Sequence, residues 1–200
     1  MKILGLIPAR GGSKGIPGKN IKLLGGKALL QYTFEAAATS RLLTRTVLSS
    51  DDPAIIAVAE DLGLEVPFIR PAELAKDDTG SLEVILHALE FLEERGESFD
   101  AVCLLQPTTP FREQQLIDRA IEKFRDGDFD SLVTVRQVPE DYNPHWVFEA
   151  KDGQLKIATG EEQIIKRRQE LPKAYHRDGA IYLTRTQVLQ QQHSLFGQNI

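Results

Sequence analysis

The chain has 200 residues, with 24 Lys and Arg against 29 Asp and Glu and a net charge of −5. That length suits one domain with a sizeable core, and the acidic balance argues against general nucleic-acid binding. No apolar run approaches the ~18 residues of a membrane span, no signal-peptide pattern precedes the first strand, and a single cysteine, Cys103, permits no internal disulfide and points to a reducing cytoplasm.

The first element is an apolar run, Ile3–Ile7, which reads as a buried strand. It feeds the stretch IPARGGSKGIPGKN, residues 7–20, with four glycines and the cations Arg10, Lys14 and Lys19. Glycines let the backbone take positive φ and let a ligand come close. Successive N–H groups in such a turn converge into an anion-binding concavity. From Met1 to Phe34 there are six Lys or Arg and no acidic residue. Cations this crowded repel one another unless something negative sits among them, and a phosphate chain fits. Neither G-x-x-x-x-G-K-[ST] nor G-x-G-x-x-G can be drawn here, which argues against a P-loop ATPase and against a usual dinucleotide fold. A flexible cationic surface loop is the competing reading, and the position directly behind a buried strand weighs against it.

Ala28–Arg41 reads as a helix, Thr46–Leu48 as a short strand, and Pro53–Leu62 as a helix opened by proline and closed by Gly63. Glu65–Arg70 is expected as a third strand. Ser81–Arg95 is a helix with Leu82, Ile85, Leu86, Leu89 and Leu92 on one face; His87 within it reads as structural. Ala101–Leu105 is a buried strand holding Cys103 as an inert thiol. A helix over Glu113–Phe124 and a strand over Ser131–Val138 follow.

This alternation predicts an α/β fold: a mostly parallel, Rossmann-like sheet with helices on both faces. Ligands bind such sheets at the carboxyl ends of strands. Arg10, Asp51, Arg70 and Gln106 each follow a strand end and should share one rim. Asp126, Asp128 and Asp130 fall on the opposite rim, with Ser131 where a calcium loop wants glycine, and read as a solvated turn.

Between Pro139 and Arg177 the alternation breaks. Trp146 and Phe148 stand in a non-core segment with a hairpin turn at Lys151–Gln154, the pattern of an interface. Gly179–Leu183 returns to strand, and a short polar helix follows near Gln187. The expected organisation is a core of residues 1–138 and 179–200, with 139–178 as a dimerisation insertion.

The opening stretch resembles the N-terminal signature of the acylneuraminate cytidylyltransferases. Arg70-Pro71-Ala72-Glu73-Leu74-Ala75 with Asp77 and Ser81, then Leu104-Leu105-Gln106-Pro107-Thr108-Thr109-Pro110, then Arg168-Gln169-Glu170-Leu171-Pro172, and finally Gly179-Ala180-Ile181-Tyr182 resemble later blocks of that family in the same order. The resemblance implies a fold like the nucleotide-diphospho-sugar transferases and transfer of CMP from CTP to the anomeric hydroxyl of a nine-carbon keto acid sugar, with Mg²⁺ and a homodimer. It implies Arg10 and Lys19 as catalytic phosphate-binding residues. Asn20, Arg70 and Ser81 would hold the cytidine, and Ala9, Gly11 and Lys14 complete the nucleotide set. Gln106, Thr108, Tyr182 and a cross-subunit Arg168 would bind the sugar.

Three departures qualify it. Trp146 stands near where some members have Lys, and His176-Arg177-Asp178 replaces an Arg-x-Asn, so the sugar could be sialic, legionaminic or pseudaminic acid. The family's D-x-D metal pair would lie beyond Ile200, so a longer chain is expected, and Asp51 is the weak metal candidate within these residues. A Kdo-like sugar acid, or a non-catalytic nucleotide-binding dimer, are the alternatives.

Overall fold

The structure, a computed structural model, describes all 200 residues. In chain order the first unit holds β1 (Ile3–Pro8), a small hairpin of β2 (Leu23–Leu24) and β3 (Lys27–Ala28), α1 (Leu29–Ala38), β4 (Arg45–Ser49), α2 (Pro53–Asp61), α3 (Ser81–Glu93), β5 (Ala101–Leu104) and α4 (Leu116–Asp126). β6 (Ser131–Gln137), the hairpin of β7 (Phe148–Lys151) and β8 (Gln154–Ile157), β9 (Tyr175–Arg185) and α5 (Thr186–Gln192) complete the chain.

Five strands form the main sheet in the order β4-β1-β5-β9-β6. β1 is parallel to both β4 and β5, and β9 runs antiparallel to β5 with Leu104 opposite Tyr182. The predicted α/β fold with a largely parallel core is therefore present.

Period-two alternation along the strands fixes the layers. Ile3, Ile7, Leu48, Cys103, Ile181 and Leu183 join one buried cluster with Leu30 of α1, Ile55 of α2 and Phe124 of α4. Leu4, Leu6, Val47, Val102 and Leu104 join the other with Ile85, Leu89 and Leu92 of α3 and Leu189 of α5. Each central strand is covered on both faces, which is why β1 and β5 read as unbroken apolar runs.

The expected third strand is absent. Around Glu65 there is one isolated parallel bridge to Val47, and residues 66–70 run as irregular chain. Pro67 has no N–H to give a ladder, so the segment pairs only through Leu48 N–H to the Glu65 carbonyl and Arg70 N–H to the Ser50 carbonyl, each at 2.8 Å. α1 ends three residues before Arg41, and α4 starts at Leu116 because Gln115 takes φ 59°.

The chain divides into two compact units, residues 1–134 with 179–200, and residues 135–178. The second unit carries the β7–β8 hairpin, paired Phe148 to Ile157 and Ala150 to Leu155. Those four residues share one face of the hairpin, and Phe148 and Leu155 are exposed. Trp146 donates its indole N–H to the Ile165 carbonyl at 2.7 Å, so it is used inside the unit rather than presented to solvent.

Candidate active site

A cleft of about 570 Å³ opens over the carboxyl ends of β1 and β5. It is walled by Arg10, Lys14 and Lys19 from the glycine-rich loop, by Arg70, by Ser81 at the start of α3, and by Gln106.

The loop is held open by specific bonds. Ala9 N–H donates to the Ser49 carbonyl at 2.9 Å, continuing the β1–β4 pairing past the strand end. Gly11 N–H donates to Asp51 Oδ1 at 3.0 Å. Gly12 and Gly18 sit at φ 63° and 62°, the left-handed region where a side chain would be strained. Asn20, almost fully buried, closes the loop by donating its amide to the Arg10 carbonyl at 3.0 Å.

Four cations face this space. Arg70 is 4% exposed. Its guanidinium donates from Nε to Ser49 Oγ at 2.9 Å and from Nη2 to the Ser49 carbonyl at 2.5 Å. Burial brings its pKa down to about 10, with Asp51 opposing and Arg10 adding to the shift. It remains charged at neutral pH, in a setting that favours a nearby anion. Arg10 and Lys14 both pair with Asp77, at 2.5 Å each. α3 starts on the cleft with Gly80 as its N-cap and no side chain capping its first amides, and helix N-termini favour negative charge.

The expected residues are thus gathered in large part. Arg10, Lys14, Lys19, Asn20, Arg70, Ser81, Gln106 and Thr108 all line one cleft. Ala9 and Gly11 stand behind it, acting through the backbone bonds above. Tyr182 is not brought there: it faces the α3 side of the sheet, packed against the α3-side core cluster and against Phe196 at 6.3 Å between ring centroids. Arg168 belongs to the second unit, on a tight turn over Arg168–Glu170, paired with Glu140. Sequence reasoning missed Ile16, Thr79 and Val84 as cleft walls. It placed Asp77 in a matched segment without seeing it as the counter-ion of Arg10.

No group of three or more His, Cys, Asp or Glu is arranged to hold a metal ion. Asp51 is taken up by Gly11 N–H, and Asp52 caps α2 by accepting from Ala54 and Ile55 N–H. Asp51 and Asp52 are thus each engaged through Oδ1. On the opposite rim, Asp126 and Asp128 are exposed, as expected of a solvated turn, with Asp128 pairing with Arg185 at the surface, whereas Asp130 is half-buried and accepts from Gln198 and Asn199 N–H as a structural tie. His87 packs against Phe68 with 4.9 Å between ring centroids, outside the cleft. Cys103 is fully buried, and burial pushes its thiol pKa up to about 12.

A family model described as Cytidylyltransferase matches residues 4–198. The pseudaminic acid cytidylyltransferase of Campylobacter jejuni subsp. jejuni serotype O:2 is 37% identical over 182 residues, covering 91% of this chain and 78% of that protein. The CMP-N,N'-diacetyllegionaminic acid synthase of Legionella pneumophila is 42% identical over 122 residues, covering 61% and 53%. A solved CMP:2-keto-3-deoxy-manno-octonic acid synthetase, complexed with CTP, superposes with a TM-score of 0.72 at 19% identity, over 96% of this chain and 78% of that one.

Proposed function

The chain belongs to the cytidylyltransferase family, and from that premise we propose that its cleft transfers CMP from CTP to a nonulosonic acid. The anomeric oxygen of the sugar attacks the α-phosphorus, the bond from that phosphorus to the β-phosphate oxygen breaks, and pyrophosphate leaves with the electron pair. The hydroxyl proton is released to solvent. Negative charge moves toward the leaving group, so the chemistry calls for fixed positive charge there.

One observation carries this reading: Arg10, Lys14, Lys19 and the buried Arg70 converge with the start of α3 on a single cleft. A triphosphate brings several negative charges to cations that otherwise repel one another. Gln106 and Thr108, on the β5 side of the same cleft, supply polar groups that support assigning a polyhydroxylated acid to that side.

The sugar is assigned to the pseudaminic and legionaminic class, as in the relatives' names. Mg²⁺, when bound with CTP, would supply charge neutralisation of the triphosphate. The second unit is assigned to a homodimer contact through the apolar face of β7–β8, with Arg168 serving the sugar of a partner. A reducing cytoplasm is assigned as the setting, which suits a lone buried Cys103.

The test is pyrophosphate release from CTP, ATP, GTP and UTP against pseudaminic, legionaminic and sialic acids and Kdo. Release with CTP and a nine-carbon acid is expected. Turnover of Kdo alone would move the assignment to eight-carbon acids, and CTP binding with no turnover of any acid would make the protein a nucleotide-binding module.

A further inference from the structure

Arg112 lies outside the cleft, yet all three arms of its guanidinium are bound around it. Nη2 donates to the Gln106 carbonyl at 2.8 Å, Nε to the Ala180 carbonyl at 3.0 Å, and Nη1 to Thr33 Oγ1 at 2.9 Å. Three elements therefore meet on one planar fork: the segment after β5, the middle of β9, and α1. Thr33 is fully buried, so that arm is shielded from water, where hydrogen bonds are electrostatically stronger.

The residue before Ala180 completes the arrangement. Gly179 has φ +78°, and a Cβ built there would lie 3.2 Å from Gln106 Oε1 and 3.1 Å from Thr109 Oγ1. Any side chain would be strained in that backbone and would press on the Gln106 amide. One two-residue stretch of β9 thus gives a carbonyl to Arg112 and leaves room for the Gln106 side chain.

The geometry points to Arg112 and Gly179 as positioning residues that together set the pose of Gln106. Arg112 fixes its backbone, and Gly179 fixes the space its amide occupies. Neither touches substrate. Their effect on turnover rests on the reading of Gln106 as a sugar contact, whereas their effect on pose does not. A lysine cannot replace the fork, because its one nitrogen cannot lie within reach of three acceptors that Arg112 meets with three separate, rigidly spread nitrogens.

The experiment uses Arg112→Lys and Gly179→Ala, each first shown to melt cooperatively. The side-chain amide signal of Gln106 is followed by ¹H–¹⁵N NMR, assigned by its loss in Gln106→Glu. It should shift or broaden in both variants. In steady-state assays KM for the nonulosonic acid should rise about tenfold, the scale of one lost hydrogen bond, with KM for CTP within about twofold. An unmoved Gln106 signal in both variants, or equal rises in both KM values, would overturn the inference. A moved signal in a protein that turns over no sugar would uphold the positioning role and defeat the proposed substrate.

Discussion

Asp77 Oδ1 lies 2.5 Å from Arg10 Nη2, and the other oxygen of the same carboxylate lies 2.5 Å from Lys14 Nζ. One carboxylate thus bridges two cations of the phosphate loop. Those two pairs also hold its pKa below the usual carboxylate range, Lys14 contributing most. Asp77 stands where a phosphate would have to compete.

Two substitutions separate the parts of that bridge. Arg10→Ala should lower kcat/KM by about 10²-fold, the scale of a lost charge-stabilising donor. Asp77→Asn should instead tighten CTP binding by a few-fold, since exposed pairs are individually weak. The sign with pH follows from the depressed pKa. The pairing is present above the ordinary carboxylate range and is lost only as pH falls through the lower folded value. The gain in Asp77→Asn should therefore be flat between about pH 5 and 8. Calorimetric titration with CTP checks both; weaker binding in Asp77→Asn would make Asp77 a support for Arg10 rather than a competitor.

Arg70 offers a test of the buried charge. Its two bonds to Ser49 need the guanidinium fork, and Ser49 is fully buried. Arg70→Lys keeps the charge but leaves an acceptor unmet, a loss of about 1–3 kcal/mol. The Tm should fall by several degrees, and the stabilisation that pyrophosphate gives the native protein should shrink. Thermal melts with and without pyrophosphate measure both. An unchanged pyrophosphate shift would remove Arg70 from the anion site.

Assembly is tested on the hairpin of the second unit. Phe148 is 50% exposed and Leu155 69%, so charges placed there cost little in the isolated unit. Light scattering should give twice the chain mass for the native protein, and the double substitution Phe148→Glu with Leu155→Glu should return it to the single-chain mass. A native monomer at micromolar concentration would defeat the interface and with it the cross-subunit role of Arg168.

The sequence showed the site better than its supports. The glycine-rich loop was legible because it follows a strand whose every residue is apolar, and α3 because its leucines keep a helical period. Pro67 hid the truth about residues 65–70: the run is apolar enough for a strand but lacks the donor a ladder needs. β9 starts earlier than expected, since Tyr175, His176 and Arg177 are exposed and Asp178 is polar and half-buried, so they show no apolar strand pattern. The β2–β3 hairpin rests on Gly25 and Gly26 at φ 58° and 88°, a two-glycine turn between runs too short to show alternation. The contacts of Arg112 and Gly179 with Gln106 join residues far apart in the chain, and no local pattern encodes them.

Asp51 decides whether any metal is held by these residues. Its carboxylate accepts Gly11 N–H and attracts Arg70, so it already has the role of a loop anchor. A Mg²⁺ ion held there would have to share this carboxylate with the Gly11 N–H, which occupies Oδ1. Asp51→Asn keeps an acceptor oxygen for Gly11 and removes only the charge. If Asp51 is an anchor, the variant should bind CTP at least as well as the native protein, because a negative charge near the phosphates is gone. Its activity should titrate with Mg²⁺ at the same midpoint, and EDTA should lower both proteins' turnover alike. Phosphoryl-transfer sites rely on metal ions to neutralise a triphosphate, so a true ligand would announce itself by a shift of that midpoint of about tenfold or more, the scale seen when a group supporting a metal is lost. Such a shift would place Mg²⁺ on Asp51 and overturn the anchor reading.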